Sequence, residues 1–173
     1  MVRTNSLTVL ASVPIAVLAS IAMFSTEVQA TNKVEVSCDR QGSVPKVIAT
    51  LSNRGTSQAT PILSFLPQYF SSESALAVCQ STADKLRTLY DQQRMNYLAS
   101  DTIDRQPVVC AVERRGLGCN SYNSEILFSI AKSVNPTELL YNMLGENFKG
   151  SQIPPSRTVS RIYTELRPSW WFF

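Results

Sequence analysis

Four cysteines, Cys38, Cys79, Cys110 and Cys119, are the side chains of this 173-residue chain best spaced for chemistry, and the chemistry is disulfide formation. No C-x-x-C pair occurs among them and the chain contains no histidine, so a zinc site does not fit. The missing histidine also removes Ser-His-Asp and Cys-His catalysis and the usual proton shuttle near neutral pH. Catalysis would therefore fall to carboxylates or to Ser/Lys pairs. Asp101 and Asp104 share a polar stretch, 99–106, that reads as an exposed loop, where solvation is the ordinary state of an acid. The expectation is a protein without catalytic residues, metal or cofactor.

Two other groups of residues suit binding. Arg114 and Arg115 fall between Cys110 and Cys119, so a bridge there would present two guanidiniums on a restrained loop fit for an acidic partner. Glu113 partly offsets them, and a solvated turn is the plainer alternative. Near the carboxyl end, Arg157, Arg161 and Arg167 precede Trp170, Trp171, Phe172 and Phe173. Basic charge joined to aromatic surface favours a membrane interface, although the same rings could be core or be captured by a partner protein.

These residues depend on the elements that carry them. Segments 107–112 (PVVCAV) and 126–131 (ILFSIA) read as two strands of a hairpin whose polar connection holds Cys119. Three cysteine pairings exist in principle; the hairpin brings Cys110 to Cys119 and leaves Cys38 for Cys79. Further strands are expected at 31–39, where Val34 and Val36 alternate with charge, at 46–51 (KVIATL) and at 61–66 (PILSFL). From 71 to 98 the period lengthens to that of a helix, with Leu76, Cys79, Ala83, Leu86, Tyr90 and Tyr97 on one stripe. Asn135-Pro136-Thr137-Glu138 opens a second helix with its apolar face at Leu139, Leu140, Met143, Leu144 and Phe148. Segment 159–166 reads as a last strand, with a short helix as the alternative. The fold class is therefore α+β: an antiparallel sheet of about five strands packed against one long and one shorter helix, stapled by two disulfides.

The chain divides into a signal peptide (1–30), a disulfide-stapled domain (31–150) and a basic, aromatic segment (151–173). Arg3, an uncharged apolar run over 7–24 and Val28-Gln29-Ala30 have the pattern of a secretory signal cut after Ala30. Retention of that run as an anchor is the alternative. Export suits an even set of cysteines. Residues 31–148 carry eleven basic and eleven acidic side chains, so the body is neutral and has no basic stripe for nucleic acid.

The succession VEVSCDR, PILSF, ALAVCQSTADKL, QPVVCAV, GLGC and EILFSIAKSVNPTELLYNML resembles the cyanobacterial circadian oscillating protein (COP) family over nearly all of the mature chain. The resemblance implies an exported protein of the cell envelope, associated with the membrane periphery, in a family without an established activity or catalytic residues. The expected function is binding, to a membrane surface or an envelope protein. A small exported enzyme is the alternative.

Overall fold

The computed structural model describes residues 33–53, 56–94, 96–130, 134–150 and 161–167. Residues 1–30, where a signal peptide was expected, Arg157 and the aromatic residues Trp170, Trp171, Phe172 and Phe173 lie outside the described residues. Among the described residues seven strands form two antiparallel sheets, where one sheet of about five strands was expected. The first sheet contains β1 (Lys33–Asp39), β2 (Lys46–Asn53) and β3 (Thr56–Ser64), in that order. The second has the order β6-β5-β4-β7, from β4 (Tyr97–Ile103), β5 (Gln106–Val112), β6 (Glu125–Ser129) and β7 (Tyr163–Glu165). The α+β class stands, as do the long helix and both disulfides.

Helix α1 (Ser72–Gln92) starts at Ser71, whose hydroxyl accepts the Ser74 amide, with Glu73 in the first turn to suit the positive end of the helix dipole. It buries Ala75, Cys79, Thr82, Ala83, Leu86 and Leu89. The helix stops before the expected limit at 98. Gln93 adopts a left-handed conformation (φ 54°) and its amide caps Tyr90, an end signal that glycine usually supplies and that a glutamine hides from view.

The next difference follows from the first. Segment 99–106 is not a polar loop: Tyr97–Ile103 is strand β4, and Leu98, Ala99 and Ser100 are buried. A tight turn with positive φ at both Asp104 (50°) and Arg105 (65°) reverses the chain into β5. This is the backbone of a primed hairpin turn, for which Asn-Gly is the usual sequence, so Asp-Arg concealed it.

Pro61 lies within β3 rather than at its start. It is tolerated because β3 is the edge of its sheet and the register slips beside it, Val47 pairing with Leu63 and Ile48 with Pro61. The expected second helix is broken in two, α2 (Pro136–Met143) and α3 (Glu146–Lys149). Asn135 caps α2 by accepting the amides of Thr137 and Glu138. Between them Leu144 bridges to Leu63 and the Gly145 amide donates to the Ile62 carbonyl at 2.9 Å, which docks the break onto the edge of β3.

Cys38 is joined to Cys79 (Cα–Cα 5.7 Å) and Cys110 to Cys119 (5.6 Å), the pairing expected from the hairpin. The first bridge ties β1 to α1. On a chain-entropy estimate it constrains the unfolded chain by about 4 kcal/mol and the shorter loop by about 2.5 kcal/mol. Phe65, Phe70 and Phe128 meet edge to face with centroids 5.3 to 5.9 Å apart, joining the end of β3 to β6 across the two sheets.

Strand β5 is buried on both faces, which explains its unbroken apolar run. Val109 and Ala111 face the main core with Leu98, Leu127 and Leu140. Val108, Cys110 and Val112 face a second, smaller cluster with Ala99 and Cys119.

Candidate functional site

That smaller cluster is the floor of a disulfide-tied surface. Loop 113–124, between β5 and β6, folds back over the outer face of the second sheet and is fastened there at Cys119. Odd-numbered residues of β4 share this face, so Tyr97, Ala99 and Asp101 point toward the loop while Leu98 points to the main core. Leu117 and Tyr163 pack around the cluster, and the Tyr163 hydroxyl donates to the Leu117 carbonyl at 3.0 Å.

Asp101 is the polar hub. Its Oδ2 accepts the Cys119 amide at 3.2 Å and Nη2 of Arg161 at 2.8 Å, and its Oδ1 accepts the Thr102 amide at 2.9 Å. Arg161 keeps its proton more firmly than a free arginine, first because of its hydrogen bond to Asp101, with burial opposing. Gly118 makes the approach feasible: a Cβ there would lie 2.7 Å from Asp101 Oδ2 and 2.8 Å from Asn120 Oδ1. A larger residue before Cys119 would displace these two side-chain ends.

Each residue expected to bind can now be placed. Arg115 pairs with Glu165 on β7 at 3.5 Å and lies over the Tyr97 ring, 5.3 Å from its centroid. That pair is well exposed and so contributes little stability, but it joins the loop to β7. Arg114, next to it, is exposed and has no partner among the described residues. Arg161 belongs to Asp101. Arg167 lies over the Tyr90 ring at 5.3 Å and donates to the Tyr90 carbonyl, while the Tyr90 hydroxyl donates to the Leu166 carbonyl. Burial pushes the Tyr90 phenol well above its ordinary range, and the Arg167 charge partly opposes this.

Two expected binding charges, Arg161 and Arg167, therefore hold the C-terminal segment to the body, and a third, Arg115, reaches β7. Asp104 sits exposed in the β4–β5 turn, and Asp101 is engaged with Arg161, so the structure does not draw the two acids into one constellation. Among the described residues no group of three or more His, Cys, Asp or Glu is arranged to hold a metal, and no helix is long and apolar enough to cross a membrane. Sequence reasoning passed over Tyr122, which is fully exposed near the tip of the loop. Only the bridge to Cys119 hinted that this region is held in one shape.

A disulfide-tied loop clamped on the back of the four-stranded sheet, with a long helix stapled to the three-stranded sheet, defines a small α+β domain. The model of the family described as circadian oscillating protein COP23 matches residues 14–170, and the chain belongs to that family. No curated protein and no solved structure matches it.

Proposed function

We propose that this is an exported, non-catalytic protein of the cell envelope that acts by binding at the periphery of a membrane. The observation that carries the reading is the loop held by Cys110–Cys119, which offers Arg114 and Tyr122 to solvent from a base fixed by Asp101 and Arg161. A guanidinium on a restrained loop loses little entropy when it meets an anionic group. Pairing of all four cysteines supports an oxidising compartment, in keeping with the signal-like amino terminus. The aromatic residues at 170–173 would add interfacial affinity.

Vesicles containing anionic phospholipid test the reading directly. The mature protein should bind them, and both removal of residues 169–173 and the pair Arg114→Ala/Arg115→Ala should weaken binding without lowering Tm. If both variants bind as the parent does, the reading fails. Mass spectrometry of the native protein should find Thr31 at its amino terminus; a chain that starts at Met1 or Val2 would refute cleavage.

A further inference from the structure

The end of α1 and the disulfide-tied loop enclose two depressions, of about 290 and 380 Å³, that share Arg94 and Asn123 and so adjoin. We propose that this groove binds a neutral oligosaccharide, with Tyr122 as the platform on which one sugar ring stacks. The inference gives a ligand class to the binding loop and rests on the reading of that loop as a binding surface.

Three observations converge on sugar chemistry. First, the walls are amide-rich: Gln93, Asn96 and Asn123 line the smaller depression, and Gln92 and Asn123 the larger. Asn96 and Asn123 donate to the carbonyl and carboxylate of Glu113 at 2.9 and 3.4 Å, and the Gln92 oxygen accepts from Arg94 at 3.4 Å. This leaves the Asn96 and Asn123 side-chain carbonyl oxygens and the Gln93 amide to meet sugar hydroxyls. Second, the charges balance. Lys85 and Arg94 stand against Glu113 and Glu125, so the groove has no net field to draw in an ion. Lys85 is moreover occupied by the carbonyls of Ile126 and Leu127, at 2.6 and 3.3 Å. Third, Tyr122 borders the larger depression with its ring wholly exposed, three positions after the bridged Cys119. An exposed aromatic beside the groove offers a flat apolar face, and the C–H face of a pyranose is its natural counterpart.

Gln93 adds a point that the fold alone does not require. It occupies a left-handed helix terminus, where glycine would relieve strain, yet it carries an amide into the groove. Exchange for glycine therefore separates folding from binding.

The test is calorimetric titration of the mature, oxidised protein with cellohexaose, maltohexaose and chitohexaose, with polygalacturonate as an anionic comparison. At least one neutral oligosaccharide should bind. Tyr122→Ala should then weaken it about tenfold or more, while Tyr122→Phe stays within about threefold. Gln93→Gly should weaken binding while Tm holds or rises. The inference is overturned if no neutral oligosaccharide binds, if polygalacturonate alone binds, or if Tyr122→Ala leaves affinity unchanged. Oligosaccharide binding without vesicle binding supports the groove and rejects the membrane reading; vesicle binding without oligosaccharide binding does the reverse.

Discussion

Tyr90 stands where α1 meets the C-terminal segment, its hydroxyl on the Leu166 carbonyl and its ring under Arg167. Because burial raises its pKa, the unfolded chain loses the phenol proton first, near the ordinary value of 10.0. The stability that Tyr90 contributes is thus present in full below that pH and falls as pH rises above it, with a slope approaching about 1.4 kcal/mol per pH unit. Tyr90→Phe should cost about 1 kcal/mol at pH 8 and less than that at pH 11, read by urea unfolding of both proteins at the two pH values. Asp101 offers a second case. Asp101→Ala leaves the buried Cys119 amide as well as Arg161 without its carboxylate and should cost about 2 kcal/mol, whereas Arg161→Ala should cost about 1 kcal/mol or less. Equal losses would show that the Cys119 amide finds another acceptor. The charged form of Arg161 is present throughout the neutral range, so its share should not vary there.

At the scale of elements, the break between α2 and α3 is a packing device. Gly145 has an ordinary negative φ of −63°, so its backbone would accept any residue, but a Cβ would overlap the Pro61 carbonyl. Gly145→Ala should therefore lower stability by roughly 3 kcal/mol, as overpacking against rigid backbone does, and thermal unfolding will show it. Retention of Tm would mean that the break can slide along β3. Nothing local in the sequence marks this glycine as a packing residue, because the strand edge that requires it lies some eighty residues earlier in the chain. Strand β4 was hidden for a related reason. Its turn residues, Asp104 and Arg105, take a conformation favoured by Asn-Gly, and its acids suggested solvent, whereas Asp101 turns inward to the loop.

For the whole molecule, the two disulfides hold different things. Cys38–Cys79 joins the first sheet to the long helix across 41 residues, and Cys110–Cys119 fastens a surface loop across 9. Cys38→Ala/Cys79→Ala should lower stability by about 4 kcal/mol, and Cys110→Ala/Cys119→Ala by about 2.5 kcal/mol, in reduced-against-oxidised or variant unfolding curves. A reversed order would mean that the loop supports the core. The sheets themselves meet through Phe65, Phe70 and Phe128, whose contacts span β3, the approach to α1 and β6.

Local pattern was enough for the α+β class, the capped start of α2, the β5–β6 pair and the disulfide pairing, because each rests on short-range periodicity, a cap within one turn, or cysteines carried by recognisable elements. The split into two sheets, the burial of β5 on both faces and the use of Arg161 and Arg167 as internal ties depended on contacts between residues far apart in the chain. Charge and composition do not say whether an arginine ends in solvent or against Asp101; the return of β7 beside β4, bringing residue 161 to residue 101, makes that choice.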